Sequence, residues 1–417
     1  MIEIKKCALL RQLAAASALV LAGLACQESP RQVLDEPTVR DSAGVRVVEN
    51  GLSVRTLDWS VAEEPSLSIG SAAGNPDQQL YQVVGAIRLA DGHVVVANGG
   101  TLELRFYDGG GRFLTSVGRR GGGPGEFQSL EWIARFGSDS ILALDVVSHR
   151  VSYFDVDGRF GRSVRLEPSA AIPAPRAVGF FADGSLLATH GLYSLGAQLP
   201  IRSERDQEGL FRYMPDGKTA ERLGSFPGPE RDIVTTRPAT STGAPRVERW
   251  PRPFGRKTVF AAAGDRFYVA DNDTYEIKVY SIDPVRLVQI VRKEHSPVAV
   301  TDADLRRYRD SVLASASDAA RSISLSSFEN RPPPPRTMPA YAPDIHIDPD
   351  AYLWVRDLSG PGDPHSRWSV FAADGSYLGS IEVPAQFGVL EIGQHYVLGL
   401  RRDELDVEYV ELYRLIR

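Results

Sequence analysis

Five stretches of this chain repeat one pattern, an apolar strand that runs into a turn near Asp-Gly and returns as a second strand. They read Arg105-Phe106-Tyr107-Asp108-Gly109-Gly110, Tyr153-Phe154-Asp155-Val156-Asp157-Gly158, Arg212-Tyr213-Met214-Pro215-Asp216-Gly217, Val279-Tyr280-Ser281-Ile282-Asp283-Pro284 and Val370-Phe371-Ala372-Ala373-Asp374-Gly375. A supersecondary unit recurring in this way cannot bury its apolar faces alone, so copies must stack or ring around a shared core.

One repeat shows what the unit is. Val83 to Leu89 is a mostly apolar run, Asp91-Gly92 a turn signal, and His93 to Asn98 a second β-rich run. Leu102, Leu104 and Phe106 alternate with Glu103 and Arg105, the period of a half-buried strand, and Arg112 to Val117 follows Gly109-Gly110-Gly111. Four short strands with tight turns make one meander, which is one propeller blade. A second copy has strands near Trp132–Phe136, Ser140–Leu144, Val151–Phe154 and Arg159–Leu166. The third runs from Ala177 to Arg222 with a loop-like middle, the fourth from Thr258 to Arg292, and the fifth from Ile345 to Val383.

The C-terminal run offers only three strands, Val389–Ile392, His395–Leu400 and Glu408–Leu415. The missing one is expected at the other end of the chain. The link from Val117 to Phe127 joins two blades, and Ile69 to Leu80 has the same form, with glycine six residues before proline in both (Gly118 and Pro124, Gly70 and Pro76). Ser66–Ile69 should therefore be the outer strand of a sixth blade, beside Glu408–Leu415, which removes an exposed sheet edge. The expected fold is all-β, a six-bladed β-propeller over residues 45–417 whose last blade is closed by an N-terminal strand.

Gly118 through Phe127, ending G-x-G-P-G-E-F, resembles the inter-blade link of NHL-type six-bladed propellers. Val269-Ala270-Asp271 followed by Ile277-Lys278-Val279-Tyr280 resembles their passage from second to third strand. The chain as a whole is similar to six-bladed propeller lipoproteins of bacterial envelopes, an uncharacterised family.

Residues 1–25 read as an export signal. Lys5, Lys6 and Arg11 precede an apolar stretch from Leu13 to Leu24, too short for the roughly 20 residues a bilayer span needs. Leu21-Ala22-Gly23-Leu24-Ala25-Cys26 resembles a bacterial lipoprotein signal, which implies lipid attachment at Cys26 and favours the outer membrane. Gly23 stands where that signal prefers a branched apolar residue, and small Gly23 and Ala25 also suit ordinary cleavage to a soluble periplasmic or secreted protein. Cys7 leaves with the signal, so Cys26 is the mature chain's one cysteine and no internal disulfide forms. Removing Lys5, Lys6, Arg11 and Glu3 leaves 44 basic and 52 acidic residues, a net charge near −8, which argues against nucleic acid as a partner. Residues 26–44 are polar, contain Pro30 and Pro37, and read as a flexible tether.

Two insertions break the blade spacing. Residues 225–256, rich in Pro, Gly, Thr and Arg, are expected to form an irregular loop, either a surface loop or a lid that turns Trp250, Phe254 and Arg256 over one mouth of the channel. Residues 296–341, between blades four and five, carry a helix over Asp302 to about Ser322. Thr301 and Asp304 suit a capping box, and Leu305, Tyr308, Val312, Ala316, Ala319 and Ile323 form the apolar stripe. That stripe is expected to pack on the propeller, the alternative being a partner.

Channel-lining candidates are Arg88, Glu131, Arg135, Asp344, His346 and Glu391. Asp344 and His346 flank Ile345 and so share a strand face, making them the candidate ligands of a divalent cation, one pair where three or four donors are needed. Asp145, Asp271 and Asp357, just after second strands, read as structural carboxylates bonding turn N–H groups. No G-x-S-x-G elbow or H-E-x-x-H pattern occurs. The expectation is a lipid-anchored extracytoplasmic propeller that binds an envelope ligand or partner at its channel mouth or loop face, without catalysis and without a cofactor. The alternative, implied by likeness to lactonase-like propellers, is a metal-dependent hydrolase or lyase working in the central channel.

Overall fold

The computed structural model describes residues 36–52, 57–138, 140–190, 202–218, 220–236, 246–317, 321, 324–325, 327–328, 331–360 and 365–417. The expected export signal, Cys26 and the first part of the expected tether lie outside the described residues.

Six four-stranded antiparallel blades follow one another along the chain, the sheets of the fourth and sixth being extended by further N-terminal strands. Blade 1 comprises Val83–Arg88, Val94–Asn98, Glu103–Tyr107 and Phe113–Val117; blade 2 comprises Leu130–Phe136, Ser140–Asp145, Arg150–Asp155 and Phe160–Arg165. Blade 3 comprises Pro175–Phe180, Leu186–His190, Gln207–Tyr213 and Ala220–Pro227; blade 4 comprises Thr258–Ala263, Arg266–Asp271, Glu276–Ile282 and Val285–Lys293. Blade 5 comprises Ile345–Ile347, Leu353–Arg356, His365–Phe371 and Tyr377–Pro384. Blade 6 has Phe387–Ile392, Tyr396–Arg402 and Glu408–Ile416, and its fourth strand is Leu67–Ile69, antiparallel to Glu408–Ile416 with Ile69 opposite Val410 and Leu67 opposite Leu412. The chain is a six-bladed β-propeller, closed by its N-terminal strand.

The apolar pattern dictates this closure. Successive side chains of a strand point to opposite faces, so a blade that is apolar on both faces needs a neighbour on each side. In the second strand of blade 1, Val95 and Ala97 pack toward blade 2 while Val94 and Val96 pack toward blade 6. One apolar cluster fills each of the six interfaces between neighbouring blades. An open array of six would have five. The sixth interface contains Leu67 and fully buried Ile69 from the closing strand.

The turns and links use local chemistry. Asp108 Oδ1 accepts from the Gly110 and Arg112 amides at 3.0 and 2.9 Å, and Asp155 Oδ1 from Asp157 and Arg159 at 3.0 and 2.8 Å, which is why Asp recurs there. Gly118 and Gly70 take φ of 91° and 144°. A Cβ at Gly118 would lie 2.8 Å from the ring of Phe127, and one at Gly70 would lie 2.5 Å from the Glu408 carbonyl. Both links therefore require glycine.

Three expectations need correction. The tether does not extend to residue 44, because Thr38–Ser42 and Val45–Asn50 form a hairpin that turns at Ala43-Gly44, both with positive φ. Val45–Asn50 adds in parallel to Val285–Lys293, covering the outer edge of blade 4. Val48 is fully buried there, and Asn50 Oδ1 accepts the Tyr377 amide of blade 5 at 2.8 Å. Residues 225–256 are not an irregular loop. Ala220–Pro227 is the outer strand of blade 3, and Arg231–Thr236 pairs with Arg246–Pro251 and with Arg202–Glu204 in a separate three-stranded sheet. The helix ends at Ser315, short of Ser322. Its start is as expected, with Thr301 and Asp304 forming a reciprocal capping box.

Truncating Ile69 to Ala removes packing from the closing interface alone, and a cost of about 2–5 kcal/mol is expected. Urea unfolding of the variant measures it. A cost near zero would contradict the closure.

Candidate functional site

In a four-stranded meander, the connection from second to third strand and the link leaving the fourth strand emerge on the same side. All three excursions of this chain use those connections. The segment carrying Arg202–Glu204 joins the second and third strands of blade 3, residues 228–257 link blades 3 and 4, and residues 294–344 link blades 4 and 5. They therefore rise on one face of the ring, over blades 3 to 5.

The excursions are bound into one body. Asp232, almost wholly buried, faces Arg252 Nη1 at 2.7 Å and Arg331 Nη1 at 3.5 Å, one arginine from each long link. Arg252 also donates to the Pro333 carbonyl at 2.6 Å. Arg331 lies 4.6 Å from the ring centre of Phe328 and 5.9 Å from that of Trp250. Tyr308 of the helix packs on Phe254 and Phe328, with ring centres 5.8 and 6.2 Å apart. Arg256 reaches Asp273 Oδ1 at 3.1 Å and the Thr337 carbonyl and hydroxyl at 3.0 and 2.8 Å. Trp250, Phe254 and Arg256 thus join the two insertions to each other and to blade 4, and half-buried Tyr308 of the expected helical stripe packs into this cap, while Ala319 and Ile323 of that stripe lie outside the described residues.

Below the cap's edge, at the junction of blades 3 and 4, opens a cleft of about 290 Å³. Val178, Val259 and Phe260 of the two inner strands make its apolar wall. Arg176, Arg231 and Lys257 bring three positive charges, while Thr189, His190 and Glu208 supply polar groups from blade 3. Arg176 is paired with Glu131 of blade 2, and Glu208 with the Thr189 hydroxyl. The Gly209 amide donates to His190 Nε2 at 3.4 Å. Arg231 differs from Arg176 and from the cap arginines Arg252 and Arg331: it is half-buried, and among the described residues its guanidinium forms no ion pair, a trait it shares only with exposed Lys257 in this cleft. Arg205 braces the rim, donating to Asp271 at 2.7 Å and to the Gly228 carbonyl at 2.8 Å.

Two larger cavities lie elsewhere. One of about 500 Å³ sits beside Trp59 and blade 5, where His365 and Arg367 both face Glu382. Another of about 530 Å³ lies beside the N-terminal hairpin, where Arg292 is held by Glu49 and Glu276. Those charges pair with one another, and Lys293 beside the second cavity is held by the Ser369 hydroxyl at 2.7 Å and the Tyr377 ring. The cleft at blades 3 and 4 holds two cations, Arg231 and Lys257, without an ion pair among the described residues, which is the reason to prefer it.

The remaining channel candidates pair with one another. His346 Nε2 lies 3.3 Å from Asp344 Oδ1 without hydrogen-bonding geometry, and Arg356 Nε lies 3.4 Å from Asp344 Oδ2. Asp344 and His346 are together, but the carboxylate faces a guanidinium, and among the described residues no three His, Cys, Asp or Glu side chains converge. At the opposite end of the channel, Glu391 accepts the Arg88 amide at 2.8 Å and faces Arg135 at 3.8 Å, while Arg135 donates to the Arg88 carbonyl at 3.2 Å. These contacts tie blades 6, 1 and 2 around the axis. Burial raises the Glu391 carboxyl above its usual range, the Arg88 amide and Arg135 opposing the rise.

Asp145 is a structural carboxylate, fully buried and accepting the Gln128, Ser129, Val147 and Ser148 amides at 2.7 to 3.2 Å. Asn98 and Asn272 hold the Tyr81 and Lys257 amides in the same way, both at 2.7 Å. Asp271 accepts the Asp273 turn amide at 3.1 Å as well as Arg205. Asp357 departs from the expectation and binds the Ser369 and Tyr275 hydroxyls at 2.9 and 3.1 Å.

Sequence reasoning missed Arg231, Lys257, His190 and Glu208. The signal for Arg231 was present in Ile233-Val234-Thr235-Thr236, a β-branched run followed by Val247 and Trp250, though Pro and Gly around it obscured the hairpin.

A family model described as "6-bladed beta-propeller" matches residues 75–176, which span blade 1 and blade 2. No curated protein matches. Among solved structures, a member of the DUF4221 family from Bacteroides vulgatus is 9% identical, with 87% of this chain and 100% of that one covered and a TM-score of 0.51. A protein described as exported, from Bacteroides fragilis, is 10% identical over 89% of this chain and 99% of that one, with a TM-score of 0.46. Virginiamycin B lyase from Staphylococcus aureus is 10% identical over 86% and 100%, with a TM-score of 0.39. The first of these likenesses supports the propeller fold and nothing finer. No helix among the described residues is long and apolar enough to cross a membrane.

The raised Glu391 carboxyl sets a pH dependence. Its protonated form favours the fold, a contribution fully present below the ordinary value of 4.5 and lost as pH rises through the raised value. Glu391→Gln should therefore flatten the decline in stability from mildly acidic to neutral pH, as measured by urea unfolding at each pH. Equal declines in both proteins would show that burial is not governing this group.

Proposed function

We propose that this protein is a lipid-anchored extracytoplasmic binding propeller that takes its ligand in the cleft between blades 3 and 4. The observation that carries this reading is the unpartnered, half-buried Arg231 in a cleft at the capped mouth of the ring. Burying an unpaired cation costs several kcal/mol unless something compensates it. A rigid ring keeps the cleft preformed, because its walls are inner strands anchored by apolar clusters on both sides. The export signal and Cys26 support placement in the envelope through a lipid, with the outer membrane favoured by resemblance. A hydrolase using Asp344 and His346 would need further cation ligands and release of Asp344 from Arg356, so binding is the better-supported reading.

Val178→Trp fills the cleft from an inner strand without touching its charges. A thermal-shift screen against envelope glycans and peptides should find ligands that stabilise the native chain, by about 2.7 kcal/mol at 100-fold their Kd. Val178→Trp should abolish that shift while its own melting temperature stays close to that of the parent. Retained binding in this variant would place the site elsewhere. Cys26→Ala should move the protein from the membrane pellet to the soluble fraction on fractionation, and an unchanged distribution would refute the lipid anchor.

A further inference from the structure

Resting on the cleft as the binding site, we infer that its ligand is an acidic sugar, a hydroxyl-bearing monocarboxylate about the size of one pyranose ring. The charge arrangement points first to an anion. Arg176 already has Glu131, whereas Arg231 and Lys257 have no protein partner among the described residues. Lys257 is exposed and keeps its hydration, whereas Arg231 is half-buried in the cleft wall with no ion pair among the described residues, which leaves its guanidinium to an anion that enters the cleft. A guanidinium presents a planar fork whose donors match a carboxylate bidentately. The apolar surface of Val178, Val259 and Phe260 excludes water beside it and strengthens the attraction.

The rest of the cleft selects among anions. Glu208 lies in the same wall, held by the Thr189 hydroxyl, so a second negative charge on the ligand would meet repulsion there. That disfavours a phosphate dianion and suits a single carboxylate. Glu208, Thr189, Thr258 and His190 are groups that hydroxyls can bond, which favours a polyhydroxylated body over an aliphatic acid. Phe260 offers an aromatic surface of the kind on which the C–H face of a sugar ring packs, and about 290 Å³ admits one ring.

The test uses the purified mature chain and four probes: D-galacturonate, D-glucuronate, D-galactose and inorganic phosphate, each titrated calorimetrically. One uronate should bind saturably, and galactose and phosphate roughly tenfold more weakly or worse, the expected worth of one charge-assisted bidentate contact. Arg231→Gln should weaken the uronate by about the same factor and leave galactose unchanged. Should Arg231→Gln fail to fold, exposed Lys257→Gln provides the second measurement, with a smaller loss confined to the uronate. Phosphate binding tighter than uronate, or galactose equal to uronate, would overturn the assignment, as would the absence of saturable uronate binding. If a neutral ligand binds and Val178→Trp abolishes it, the cleft remains the site and only the acidic-sugar assignment fails. If a uronate binds equally well to Val178→Trp, the cleft itself is wrong.

Discussion

Every blade of this protein is apolar on both faces, and that constraint determines the rest. A sheet with one solvated face could end a row, but alternate residues of the second strand of blade 1 send Val94 and Val96 one way and Val95 and Ala97 the other. Six such sheets have no solvent-tolerant end, so the array must close on itself. The antiparallel pairing of Leu67–Ile69 with Glu408–Ile416 provides the closure, joining segments more than 300 residues apart in the chain. It also makes the fold dependent on a long-range contact, since the described residues contain no cysteine and no disulfide braces the ring.

Closure gives the ring two unlike ends. At one, Glu391, Arg88 and Arg135 tie three blades together and satisfy one another. At the other, long connections depart where strands two to three and four to one are joined, and two of them share buried Asp232 as a common clamp. Arg252, Arg331 and Arg256 are all consumed in building that cap. Arg231, one residue from the clamp, is left facing the cleft. In this arrangement the link between blades 3 and 4 supplies two cations, Arg231 and Lys257, of a site whose other walls come from the ring.

The parts of the fold legible in the sequence were those encoded over short distances. Asp-Gly turns are local because Asp108 and Asp155 bond amides two and four residues on. Gly70 and Gly118 mark equivalent links because both need positive φ beside a crowded neighbour, and that equivalence revealed the closing strand. Thr301 and Asp304 marked the helix start for the same reason. The N-terminal hairpin was hidden because its pairing with Val285–Lys293 is parallel and spans over 200 residues. The cleft was hidden more deeply. Arg176, His190, Arg231 and Lys257 meet only when two strands of blade 3, a hairpin and the entry to blade 4 are placed around an axis, and no spacing rule announces that. Asp344 and His346, two residues apart, were easy to notice, and the structure adds the Arg356 that faces them.

The closing strand can be examined directly by native-state hydrogen exchange followed by mass spectrometry. If the ring is sealed as described, amides of Leu67–Ile69 exchange only with global unfolding, at the rate of their partners in Glu408–Ile416. Fast exchange at 67–69 beside a protected C-terminal strand would mean that the sixth blade stands open and that the account of the ring is wrong.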